Sequence, residues 1–204
     1  RRASSGKREF LQEFPGEMIK RIHTYDNGDR WIVEHSPKTT SYDPPPPDYF
    51  SIWKWPFRTG KYELFAERIP YVDSSALSAD GRFLALVERA GTLMLSVFDA
   101  AAGVRAGAIP VEEGRCLRWS PDGRCIGIAQ LHARKVVFYE YPSLSKLQEF
   151  FLPYASDVAF SPSGDVLALG SWEAGWLLPI EALATPNISL ERTARKGVAA
   201  RLGR

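Results

Sequence analysis

Three histidines, two cysteines and a set of clustered aromatics are the residues from which this 204-residue chain would have to build chemistry. His23, His35 and His132 fall in different segments. None has a second His, a Cys or a carboxylate at a metal-ligating spacing. Each reads as an exposed or half-buried histidine of a strand or loop. Glu112 and Glu113 are adjacent, so in a strand their carboxylates face opposite ways and do not form an acid/base pair. They read as part of a polar loop. The chain contains no Gly-x-Ser-x-Gly elbow, no Gly-x-Gly-x-x-Gly turn and no Walker loop. These features assign no catalytic residue, no metal and no cofactor, and the expectation is a protein that is not an enzyme.

The aromatic residues point to binding instead. Phe50, Trp53, Trp55 and Phe57 follow Tyr42 and Tyr49 and lie beside a run of four prolines, Pro44-Pro45-Pro46-Pro47. Trp53 and Trp55 are two residues apart and share one face of a strand. Packing between sheets is one use for them. The other is an exposed platform for a peptide or protein partner. Trp172 and Trp176 flank a turn at Glu173-Ala174-Gly175 and join Trp53 and Trp55 as candidate partner-binding residues. Cys116 and Cys125 flank a turn of their own, where an exported chain would pair them and a cytosolic one would not. Free thiols are expected.

The elements that must position these residues are hairpins. Trp119-Ser120-Pro121-Asp122-Gly123-Arg124 is turn chemistry: Pro presets φ, Asp bonds nearby backbone, and Gly accepts positive φ. Related turns stand at Ser78-Ala79-Asp80-Gly81 and Ser161-Pro162-Ser163-Gly164, and the three glycines lie 42 and 41 residues apart. After each turn comes a bulky, small, bulky triplet: Leu84-Ala85-Leu86, Ile126-Gly127-Ile128 and Leu167-Ala168-Leu169. Alternation puts the bulk on one face of the strand and leaves the other nearly bare. That pattern suits sheets that stack closely. A period near 40 residues with several short strands per unit is the mark of propeller blades.

Trp119-Ser-Pro-Asp-Gly-Arg and Phe160-Ser-Pro-Ser-Gly-Asp resemble the first-turn motif of WD40 repeats and of TolB-like propellers. Val97-Phe98-Asp99 resembles the end of a WD40 third strand, with Phe98-Asp99 where Trp-Asp usually stands. The resemblance covers about residues 70–183. It lacks the Trp-Asp dipeptide and the Gly-His pair, so it does not imply the buried His-Ser-Asp-Trp network of strict WD40 blades. It implies an all-β, propeller-like array of about four blades, partial or open.

Residues 1–16 form a polar N-terminal segment, 17–183 the blades (about 17–69, 70–110, 111–152 and 153–183), and 184–204 a basic flexible tail. The first blade would turn at Asp26-Asn27-Gly28-Asp29 and carry about eleven extra residues around its prolines. The last shows only three strands, and residues 10–14 would supply a fourth only if the ring closed. An open arc or a fragment is expected, and the absence of an initiating Met fits a fragment.

Residues 9–184 carry 17 basic against 23 acidic groups, so the basic charge sits in the two ends. A mildly acidic body argues against a nucleic-acid-binding face. No apolar run is long enough for a membrane helix, and no signal peptide is visible. The reading is a cytoplasmic, non-catalytic protein–protein interaction or scaffold module with a protein partner, no nucleic acid and no membrane. The alternatives are an accessory propeller of a larger enzyme, such as a peptidase, and a periplasmic TolB-like propeller.

Overall fold

The computed structural model describes residues 17–25, 30–37, 49–56, 63–185 and 190. The turn at 26–29, the prolines at 44–47, residues 10–14, Tyr42 and Phe57 lie outside them. The described part is all-β. The first sheet contains β1 (Glu17–Tyr25), β2 (Arg30–Pro37), β3 (Tyr49–Pro56) and β4 (Glu63–Pro70). The second contains β5 (Val72–Leu77), β6 (Phe83–Ala90), β7 (Thr92–Asp99) and β8 (Val104–Pro110). The third contains β9 (Cys116–Trp119), β10 (Cys125–Gln130), β11 (Lys135–Glu140) and β12 (Lys146–Phe151). The fourth has three strands, β13 (Ala155–Phe160), β14 (Val166–Ser171) and β15 (Gly175–Pro179), followed by a 3-10 turn at Ile180–Leu183. Every sheet is an antiparallel meander. Proline ends five of the strands, at Pro37, Pro56, Pro70, Pro110 and Pro179, because it has no N–H to continue a ladder.

The first hairpin of each later sheet is held by one serine. In the second sheet the Ser78 hydroxyl donates to Asp80 (2.6 Å) and accepts from the Phe83 N–H (2.9 Å), while Asp80 accepts from the Arg82 N–H (3.0 Å). The third repeats this with Ser120, Asp122, Arg124 and Cys125. In the fourth the aspartate has moved to the other side of the glycine. Ser161 donates to Asp165 (2.7 Å) and still accepts from the Val166 N–H. The hydroxyls hold all three carboxyls below the usual aspartate range: Ser78 on Asp80, Ser120 on Asp122, and Ser163 followed by Ser161 on Asp165.

The triplets set the stacking. Leu84 and Leu86 pack with Ile32, Ile69 and Val72 between the first and second sheets. Ala85, on the opposite face, lies with Ile126, Ile128, Leu117 and Trp119 between the second and third. Leu167 and Leu169 pack with Phe138, Phe150 and Val158 between the third and fourth. In β6, β10 and β14 the two bulky residues of each triplet thus point toward the preceding sheet and the small one away from it. Gly127 marks a close approach: a Cβ there would lie 2.8 Å from the ring of Phe138, its cross-strand partner, and 3.1 Å from Val158 of the fourth sheet. Trp119 ties two sheets by donating its indole N–H to the Ala76 carbonyl at 3.0 Å.

The array is open. Its first strands β1, β5, β9 and β13 line the inner side in chain order, and the last sheet turns its small face outward. There Leu177 is 68% exposed, paired across the ladder with half-buried Ala168. Leu190, from the basic tail of the sequence reading, is buried in the core of the last two sheets.

Cys116 and Cys125 are both buried free thiols. They do not meet across their hairpin. Cys116 pairs with Ala129, four residues along the strand from Cys125 and roughly 13 Å away. Burial pushes the Cys116 thiol up to about 11, helped by the hydrogen bond it donates to Asp157 (2.8 Å), and pushes Cys125 up to about 12. Unfolded thiols ionise near 9.0. The stability gained by keeping both neutral is therefore complete below about pH 9 and declines as pH rises toward 12. Urea midpoints should hold level to about pH 8.5 and fall above it. A midpoint unchanged through that range would contradict the burial of the thiols.

The turn glycines separate into two cases. Gly81 and Gly123 have φ of 72° and 70°, the left-handed region that costs other residues about 1 kcal/mol or more. A Cβ on Gly123 meets nothing within 4 Å, whereas one on Gly81 would lie 2.1 Å from the Tyr25 ring. Gly123→Ala should lose about 1 kcal/mol. Gly81→Ala should lose at least about 1 kcal/mol more, because Tyr25 must move. Thermal melts of the two variants check the order.

Candidate interaction face

The first and third strands of an antiparallel meander start at the edge where its second and fourth strands end. One edge of the array thus carries the loops between sheets and the central hairpins at 91, 131–134 and 172–174. The Ser-x-Asp-Gly turns occupy the other edge. The loop edge collects arginine–aromatic pairs. Arg89 lies over the Tyr71 ring at 5.6 Å, Arg134 over Phe151 at 5.2 Å, and Arg115 over Trp172 at 5.9 Å.

Trp172 and Tyr154 form the centre of this face. Their rings stack with planes 5° apart and centroids at 5.6 Å. Both stay open to solvent, Trp172 at 63% and Tyr154 at 48%, and Phe151 nearby at 65%. Tyr154 reaches the stack from a backbone with φ of 57°, and Arg134 has the same value. A left-handed tyrosine costs of order 1 kcal/mol, so the surrounding loop holds an aromatic platform at the expense of local comfort.

Two concavities flank Arg115. One, of about 600 Å³, lies over Asp73, Arg89, Glu112, Glu113 and His132. Its carboxylates are engaged: Glu113 accepts from the N–H of His132 (2.7 Å), Glu112 from Lys135 (2.6 Å), and Asp73 faces Arg89 (3.5 Å). The other, of about 450 Å³, lies on the inner strands and is lined by Arg21, Arg115, Arg118, Ser74 and Asp157.

Of the two candidate tryptophans whose side chains are described, Trp172 is the exposed one. Trp176 is half-buried against the core of the last two sheets. Trp53 and Trp55 both lie on β3, opposite Val33 and Trp31, and their side chains lie outside the described residues. The sequence reading did not single out Tyr154, Phe151 or Arg115. The signal available for them was weak: Arg115 and Tyr154 lie in loops between sheets and Phe151 ends β12, and each meets a hairpin residue more than a dozen positions away.

A histidine, a carboxylate and a hydroxyl meet on the inner strands. His23 Nε2 lies 2.9 Å from Glu34 Oε1 and 2.9 Å from Ser75 Oγ. Arg21 adds a 3.1 Å contact to the other Glu34 oxygen and donates to the Asp73 carbonyl. The composition resembles a nucleophilic triad, but the geometry does not. A relay needs the carboxylate on one ring nitrogen and the hydroxyl on the other, and here both sit on Nε2. The cluster is a strut between the first and second sheets. Burial of Glu34 opposes its ionisation, yet hydrogen bonds from His23 and Ser75 and the charge of Arg21 hold its carboxyl below the usual range. His23→Ala should therefore cost about 1–3 kcal/mol in urea unfolding, because it strips a partner from a buried carboxylate. A variant as stable as the parent would remove the strut.

No family model matches the chain, and no curated protein matches it. Solved structures do. Hydrazine synthase of Kuenenia stuttgartiensis aligns over 88% of this chain and 50% of its own, at 18% identity and a TM-score of 0.61. A chain of a mitotic checkpoint complex aligns over 90% and 56%, at 14% identity and a TM-score of 0.64. The chain spans about half the length of each. Both neighbours are β-propeller proteins, and at such identities the likeness is one of fold: four antiparallel sheets in an open, propeller-like array.

Proposed function

We propose that the chain is a non-catalytic interaction module that presents its loop edge to a protein partner. The observation that carries this reading is the exposed Tyr154–Trp172 stack with Arg115 against it. Tyr, Trp and Arg are the residues that most often dominate binding energy at protein interfaces. Placing two of them in solvent, one on a left-handed backbone, has no benefit for the core. The mitotic checkpoint neighbour comes from a multiprotein complex, which agrees with such a role.

The catalytic alternative is an accessory propeller of a larger enzyme, for which the half-length match to both solved chains is the motive. In both readings the loop edge does the binding, and the cytoplasmic placement belongs to the first.

Affinity capture from extracts of the source organism tests the interface. The parent should retain a partner that the Tyr154→Ala, Trp172→Ala double variant loses, with at least about 2 kcal/mol of binding removed. A captured set indifferent to both substitutions rejects the reading. Screening with ester, peptide and phosphoester substrates tests the absence of catalysis. Turnover that vanishes on changing His23, His35 or His132 would overturn it.

A further inference from the structure

The 450 Å³ concavity on the inner strands differs from its neighbour in charge. The larger cavity pairs each of its acids with a cation or a backbone N–H. The inner one is short of anions. Arg115, Arg118 and Arg21, the last already paired with the buried Glu34, line it, and Asp157 is the one carboxylate among its lining residues. Asp157 lies 3.7 Å from Arg118, beyond hydrogen-bonding range, and already accepts from Cys116 and from the Val158 N–H. Among the described residues Arg115 has no ion pair, only the Trp172 ring. The hydroxyl of Ser74, on the same wall, is buried without a hydrogen-bond partner. A buried polar atom left unpaired costs about 1–3 kcal/mol unless something supplies the bond.

Resting on the interaction reading above, we propose that this concavity takes carboxylate side chains from an acidic peptide segment of the partner. An apolar residue of the same segment lies on the Tyr154–Trp172 stack. Arg115 joins the two places, since it lines the concavity and also covers Trp172. Arginine forks fit carboxylates in pairs of hydrogen bonds, and Ser74 offers one more donor. The body of the chain decides between anions. With 17 basic against 23 acidic groups over residues 9–184, a long polyanion meets net repulsion, whereas a short acidic stretch meets the arginines alone.

Fluorescence anisotropy tests this with the whole chain. The probe is a labelled peptide alternating glutamate and serine around one central leucine. A matched peptide carries glutamine for every glutamate, and inorganic phosphate and oligothymidylate serve as competitors. The acidic peptide should bind at least about tenfold more tightly than the glutamine peptide. Arg118→Glu and Arg115→Gln should each weaken it by about tenfold or more and leave the glutamine peptide unchanged. Both arginines are exposed, and thermal melts matching the parent confirm intact folding. Trp172→Ala should weaken both peptides. Equal binding of the two peptides, lost on Trp172→Ala, overturns the acidic assignment and leaves the interaction reading standing. No acidic-peptide binding up to about 1 mM, or full competition by phosphate or oligothymidylate at equal concentration, also overturns it.

Discussion

The fit of a bulky face against a small one is the constraint on which this molecule depends. Leu84 and Leu86, Ile126 and Ile128, and Leu167 and Leu169 each reach toward the preceding sheet. The second sheet makes room for the third with Ala85, and the third for the fourth with Gly127. Burying one such side chain is worth roughly 1.5–3 kcal/mol, and the gain exists only if the sheets approach closely. A second bulky residue at Ala85 or Gly127 would hold the sheets apart. Once the spacing is set, the first strand of every sheet is forced to the inner side, and the loops between sheets gather on one edge.

The polar residues follow from that placement. Inner strands have neighbours on the next sheet, so their polar groups link sheets: His23 and Arg21 to Glu34, Ser75 and Asp73, Trp119 to Ala76, Cys116 to Asp157. The loop edge adds carboxylate contacts of its own, Glu113 to the His132 N–H, Glu112 to Lys135 and Asp73 to Arg89. Its exposed aromatic rings meet arginines and one another, as at Arg134–Phe151 and Tyr154–Trp172. The same geometry that consumes polar groups in struts on the inside leaves a sticky, cation-decorated rim outside.

Much of the fold was legible because turn chemistry is local. Ser120, Asp122 and Gly123 announce their hairpin within four residues, and the triplet behind each turn announces the stacking. The exchange of positions at Ser163-Gly164-Asp165 shows that the serine hydroxyl matters more than where the aspartate stands, which the motif alone does not reveal. The candidate face was far less legible. Trp172 stood out by composition, but its partner Tyr154 is 18 residues earlier and adopts a backbone that tyrosine rarely takes. Arg115 reads simply as a loop charge until the third and fourth sheets are stacked. The Arg21–Glu34 pair was closer to hand. The turn expected at Asp26-Asn27-Gly28-Asp29 implies that these two residues stand opposite each other, and the register of β1 and β2 pairs them.

The open end has a consequence for how the molecule comes apart. Among the described residues the main packing runs between sheets that are neighbours in chain order, so stability is shared along a line rather than around a ring. The fourth sheet has one fewer strand and leans on one neighbour, with Leu177 bare on its outer side. Fraying should therefore start there and move inward. The amides of β14 and β15 would exchange with solvent through small local openings, while those of β6 and β10, enclosed on both faces, would wait for global unfolding.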